Sequence, residues 1–141
     1  MQTAQVLPAT VDSRGDRSAN RGIAALMAFE AATLAVMSTL HLTAVIHAGS
    51  KPFKADDAGI AEAIICLVLI GGAAALLLAA RRGRQVALGM SGFAVFGFIV
   101  GLTITVQGGG VLDVAYHATM LPVLAGTAVL LARNGATKEQ S

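Results

Sequence analysis

The chain has little of what soluble proteins use most. Only 13% of its 141 residues are charged and 4% are aromatic, tryptophan is absent, and the one cysteine is Cys66. A single cysteine excludes an intramolecular disulfide and any multi-cysteine zinc or iron–sulfur site. Because Cys66 stands in an apolar run, we predict that it is a small buried side chain. So few charges are not typical of a soluble protein.

Apolar residues make up 55% of the chain, and its mean hydropathy is +0.72. They fall into four blocks near 22–46, 59–80, 86–106 and 114–132. A helix of roughly 20 residues crosses a hydrocarbon core of about 30 Å, whereas the period-2 alternation of a membrane barrel is missing. We therefore predict an all-α integral membrane protein of the cell membrane, with a four-transmembrane-helix bundle over 22–133. The flanking segments 1–21 and 134–141 are expected to be tails, the first of them flexible.

Lysine and arginine are distributed unequally among the tails and connections. Eight of the ten lie before the first block, between the second and third, or after the fourth; only Lys51 and Lys54 lie in the other two connections. Basic residues favour the cytoplasmic side of a membrane. Both termini are thus predicted to be cytoplasmic. This bias accounts for the basic residues, so we expect no nucleic-acid partner.

Three ionisable residues on three different blocks are the main candidates for a functional site. His41, Glu62 and His117 each lie about 5 to 9 Å inside a predicted helix end at 1.5 Å per residue, all toward the outer face. Ionisable side chains at membrane depth are costly and usually face a protein interior or a water-filled path. We predict that these three converge on a polar site that binds a small ligand, an ion, a metal or a proton.

A second set of polar residues extends along the first helix. Glu30 precedes His41 by eleven residues, which at about 100° per residue returns both to nearly the same face. Thr33 lies between them, so Glu30 and Thr33 are expected to line a path for protons or a polar solute. In the alternative interpretation, Glu30 reaches the interface by snorkelling or pairs with an arginine.

Two further groups of residues have more ordinary interpretations. An exposed polar rim is expected from four residues near the outer helix ends: His47, Gln107, Asp113 and Tyr116. Close helix packing is expected from three glycines of the third block: Gly89, Gly97 and Gly101.

The residue types permit several chemistries and select none. Two histidines and a carboxylate suit an open zinc or iron site, and two facing histidines can hold haem, so both cofactors stay candidates beside a metal-free hydrogen-bonded network. No catalytic signature is present, which argues against an enzyme. The lipid bilayer is the expected partner, alone or with further copies in a homo-oligomer. A non-catalytic accessory subunit of a larger membrane complex, or a haem-binding redox subunit, are the alternative functions.

Overall fold

The computed structural model of the protein describes residues 12–46 and 55–136, and in these ranges the chain forms four helices. They are α1 (Asp12–Leu42), α2 (Ala55–Leu78), α3 (Ala80–Thr105) and α4 (Val111–Ala136). Each contains a stretch long and apolar enough to cross a membrane: Arg17–Leu42, Asp57–Leu78, Arg82–Thr105 and Val111–Asn134. The prediction of an all-α protein with four such helices is confirmed. The orientation of the termini stays a prediction.

The helices run alternately up and down, and each packs on its neighbours in sequence. α1 packs on α2, α2 on α3 and α3 on α4, while α4 closes the ring on α1 over the smallest of the four contacts. We call the end that carries Arg17, Arg84 and Arg133 the basic end. The other end, where α1 and α3 finish and α2 and α4 begin, is the site end.

Apolar side chains occupy both the interior and the outer surface of the bundle. Leu34, Leu69 and Leu124 are completely buried. Leu67 and Phe96, by contrast, are 68% and 65% exposed. A soluble bundle covers its outside with polar residues, so an apolar surface on both sides of the helices is what a lipid environment requires.

Two predicted boundaries at the basic end are wrong. α1 begins at Asp12, so 12–21 is helical where we expected a flexible tail. Arg82 and Arg84 lie in the first turns of α3 and not in a connection, because Ala79 alone separates α2 from α3. Arg84 Nη1 donates to the carbonyl oxygen of Asn134, and Nη2 donates to Asn20 Oδ1 over 3.1 Å. Arg84 thus links α3 to α4 and α1.

α1 ends four residues earlier than predicted, and its last turn has a defined hydrogen-bond pattern. The Ala44 N–H donates to the His41 carbonyl and the Val45 N–H to the Leu40 carbonyl, both over 3.0 Å. Ala44 itself has a φ of 55°. This is the Schellman motif, in which a left-handed residue closes a helix. It places His41 in the terminal turn.

The three glycines expected to pack helices differ in their surroundings. A Cβ added at Gly97 would lie 2.7 Å from Ile65 Cδ1 of α2, and one at Gly101 would lie 2.5 Å from His117 Nε2 of α4. A Cβ at Gly89 would meet nothing within 4 Å. Only Gly97 and Gly101 therefore mark close approaches between helices.

Candidate functional site

Three helix ends meet at the site end and bring polar side chains into the interior. His41 comes from the last turn of α1, and Asp113 from the first turn of α4. Glu62 lies two turns into α2. All three are buried: His41 and Asp113 are 0% exposed and Glu62 is 4% exposed. We call these three residues the outer group.

His41 lies between the two carboxylates. Its Nδ1 is 2.8 Å from Glu62 Oε2, a hydrogen bond between α1 and α2. Its Nε2 faces Asp113 Oδ2 on α4 at 3.9 Å, beyond hydrogen-bonding distance. One turn earlier, Ser38 Oγ donates to the Gly59 carbonyl over 2.7 Å. Two consecutive turns of α1 therefore bond to α2 and fix where the imidazole stands relative to Glu62.

His117 approaches the outer group from behind Asp113. Its Nδ1 is 2.9 Å from the Asp113 carbonyl oxygen and 3.1 Å from Asp113 Oδ1. A carbonyl oxygen only accepts hydrogen bonds, so Nδ1 carries the hydrogen. The Nε2 edge of the ring lies against Gly101, and the ring centroid is 5.0 Å from that of Phe98. His117 is thus held by α3 and orients Asp113.

The outer group contains more hydrogen-bond acceptors than donors. With Glu62 ionised, the carboxylate accepts the Nδ1 hydrogen of His41, and the neutral imidazole then presents a bare lone pair at Nε2. Four atoms of the outer group have no hydrogen-bond partner among the described residues: His41 Nε2, Glu62 Oε1 and both carboxylate oxygens of Asp113. Buried acceptors without partners are expensive. The arrangement therefore favours a positively charged occupant.

The geometry of the outer group is close to that of a metal site. Its members each offer one ligand atom, and these atoms lie within 4.8 Å of one another. In a tetrahedral zinc site with ligands about 2.0 to 2.2 Å from the ion, the ligand atoms are about 3.3 to 3.6 Å apart. Side-chain movements of roughly 1 Å would therefore be needed to bring the three atoms around one ion.

The residues expected to form an exposed rim do not behave alike. The expectation for Asp113 is wrong, because the side chain is completely buried and belongs to the outer group. Tyr116 is half-buried, and its hydroxyl lies 3.2 Å from Thr33 Oγ1. Gln107 is exposed just beyond α3, and its amide donates to the Thr103 carbonyl in the last turn of α3 over 2.6 Å. His47 lies outside the described residues.

Glu30 is buried in the middle of the bundle. Its side chain is 0% exposed, and Thr127 Oγ1 of α4 donates to Glu30 Oε1 over 2.6 Å. The alternative in which Glu30 snorkels to the interface is therefore wrong. Thr33 Oγ1 donates to the Glu30 backbone carbonyl over 2.8 Å. Glu30 and His41 are both fully buried, as the eleven-residue spacing predicts.

In the structure, His41 and Glu62 are in direct contact, and His117 reaches the outer group through its contact with Asp113. Sequence reasoning missed Asp113 as a member of the site, although a signal existed: Asp113 and His117 are four residues apart and so lie on one face of α4. Thr127 carried no such signal, because a single threonine in an apolar helix is ordinary.

Comparisons of the chain with protein-family models, with curated proteins and with solved structures find no significant match. The function is therefore argued from the geometry of the site.

Proposed function

We propose that this multi-pass membrane protein binds a divalent transition-metal ion at His41, Glu62 and Asp113. The observation that carries the proposal is the convergence of unpaired acceptors from three helices in a buried space. A bound cation would take one ligand atom from each of the three residues. It also offsets the free-energy cost of burying two carboxylates away from water, which is high when no positive charge compensates them.

The types of ligand narrow the choice of ion. One imidazole and two carboxylates suit zinc, ferrous iron or manganese. Calcium prefers six to eight oxygen ligands, and soft ions prefer sulfur, which the outer group lacks. Glu62 Oε2 lies 2.8 Å from His41 Nδ1, so these two residues share an ion where it replaces the hydrogen between them.

His117 acts on the site through Asp113. Its hydrogen bond to the Asp113 carbonyl and its short contact with Oδ1 fix the carboxylate toward His41. Partners of this kind orient ligands and raise their affinity. We infer that His117 is a positioning residue rather than a fourth ligand, since its Nδ1 is occupied and its Nε2 lies against Gly101.

A proton is the second candidate for the positive charge. His41 has a carboxylate at each ring nitrogen, at 2.8 Å and 3.9 Å. A doubly protonated imidazole there would donate to both, after a movement that shortens the longer contact. The same outer group then works as a metal-free ion pair. This interpretation needs no ion from solution.

Haem fits the structure less well than a single ion. Both histidines turn a nitrogen toward Asp113, His41 to Oδ2 and His117 to Oδ1. The carboxylate therefore occupies the position where haem iron would have to lie between two axial imidazoles.

The arginine-rich basic end supports a cytoplasmic position for that end, so we propose that the outer group lies in the outer leaflet.

Metal analysis of the purified protein tests the proposal. The protein is stripped with a chelator, loaded with zinc, manganese or ferrous iron, desalted and measured by elemental analysis. We expect one ion per chain in the wild type and none in His41→Ala or Asp113→Asn. Glu30→Gln is the matched control, because it removes another fully buried carboxylate and should keep the ion.

A wild type without bound metal would contradict the metal site, and an absorption band of haem would identify the redox alternative. A protein with neither would favour the proton or the accessory-subunit alternative.

A further inference from the structure

Glu30 stands at the centre of the membrane span, well away from the outer group. The span Arg17–Leu42 places it 13 residues from one end and 12 from the other, about 18 to 20 Å from each at 1.5 Å per residue. Eleven residues, or about 16 Å of helix, separate it from His41. It is therefore a second polar site, at a different depth.

The surroundings of the Glu30 carboxyl suit the uncharged acid. Thr127 supplies one hydrogen bond, to Oε1, and Oε2 has no partner. No lysine, arginine or histidine among the described residues lies within 4.0 Å of this carboxyl. An ionised carboxylate with one hydrogen bond is costly at the centre of a bilayer. Protonation removes that cost without a counter-ion.

Polar contacts continue from Glu30 along the line where α1 meets α4, which we call the α1–α4 seam. Going from the centre to the site end, the seam contains Glu30 with Thr127, Thr33 with Tyr116, and His41 with Asp113. The other described titratable groups that face it are His117 of α4 and, from α2, Glu62 and Cys66, which interact with Tyr116. Every other helix pair in the ring makes a more extensive contact. The seam is therefore the place where the bundle can separate and admit water at the lowest cost in lost packing.

We propose that Glu30 binds and releases protons within the membrane, and that the α1–α4 seam is the route by which they cross. On one side, the Glu30 carboxylate takes a proton from hydronium and forms its O–H bond. On the other side, that bond breaks and the proton passes to water, which restores the carboxylate. No electrons move. Thr127 holds the carboxyl in the seam in both forms, since its hydroxyl can donate to the carboxylate or accept from the acid.

Proton movement into sealed vesicles tests this proposal, with metal-stripped protein because the seam ends at His41 and Asp113. The full chain is reconstituted into lipid vesicles that contain a pH-sensitive dye, and a potassium gradient with valinomycin makes the interior negative. Wild type should acidify the interior several-fold faster than protein-free vesicles. Glu30→Gln should fall to the protein-free rate, and Glu30→Asp, which keeps the acid, should retain part of the flux.

Thr127→Val should slow the flux several-fold. Thr119→Val is its matched control, because Thr119 is exposed on the same helix and bonds only to the Ala115 carbonyl, and it should leave the flux unchanged. Folding of each variant is checked by its elution and its melting temperature. Equal flux in wild type and folded Glu30→Gln, or wild-type flux no faster than that of protein-free vesicles, would overturn the proposal. If the protein binds no metal but its proton flux still depends on Glu30, the proton proposal is supported and only the metal site is rejected.

Discussion

Thr127 on α4 donates a 2.6 Å hydrogen bond to Glu30 on α1, and both side chains are completely buried. The two residues are 97 positions apart in the chain and lie on the helices that share the smallest contact in the ring. Polar bonds thus join the first helix to the last where apolar packing is least extensive. The stability of this closure should depend on individual hydrogen bonds more than elsewhere in the bundle.

Thr127→Val should lower the free energy of unfolding by about 1 to 3 kcal/mol, because it leaves the Glu30 carboxyl buried with no donor. Thr127→Ser keeps the hydroxyl and should recover most of the loss. Unfolding of the protein in detergent, followed by circular dichroism, measures both. Equal stability of the valine and serine variants would show that the hydrogen bond contributes nothing.

Gly101→Ala should displace His117, because the added Cβ would lie 2.5 Å from Nε2. Overpacking of this kind typically costs about 1 to 3 kcal/mol, and here it should also weaken metal binding by moving the residue that positions Asp113. Gly89→Ala is the control, since a Cβ there meets nothing within 4 Å. Calorimetric metal titration of the two variants should show weaker binding in Gly101→Ala only.

Ala44→Gly should stabilise the protein, because Ala44 holds a φ of 55° at the end of α1. A side chain in the left-handed region costs about 1 to 2 kcal/mol, which glycine avoids. The greater conformational entropy of glycine in the unfolded chain offsets part of this gain, and a net stabilisation of about 1 kcal/mol remains. Ala28→Gly, inside the same helix, should give no gain. A lower melting temperature for Ala44→Gly than for wild type would contradict the strain at this position.

Substitutions within the outer group should not be additive. His41→Ala and Glu62→Ala each break the same 2.8 Å hydrogen bond, so the double variant should lose less free energy of unfolding than the two single losses together. A double variant of His41→Ala with Gly89→Ala should be additive, because Gly89 has no neighbour within 4 Å. An additive result for the first pair would mean that the two side chains act independently.

Thiol labelling tests the orientation. In a Cys66→Ala background, Gly110→Cys in the α3–α4 connection should react with an impermeant reagent in intact cells, and Arg82→Cys at the basic end should not. The expectation rests on the eight-to-two distribution of lysine and arginine. Labelling of Arg82→Cys from outside would place the outer group in the inner leaflet.

Hydropathy was enough to predict the number and kind of helices, because crossing a bilayer requires about 20 apolar residues in each. It could not predict rotation about each helix axis. Asp113 shows this, since depth alone suggested an exposed rim, whereas the packing of α4 turns its carboxylate inward. The start of α1 was missed for another reason: its first turns are polar, and hydropathy does not distinguish a polar helix from a tail.

The single residue Ala79 between α2 and α3 has a consequence for how the chain enters the membrane. Because no longer linker separates them, we expect the two helices to insert together as a helical hairpin. In the predicted orientation, the arginines at the start of α3 stay on the cytoplasmic side. A longer linker at Ala79, introduced by inserting glycine and serine residues, should uncouple the two insertion events and produce chains with mixed topology.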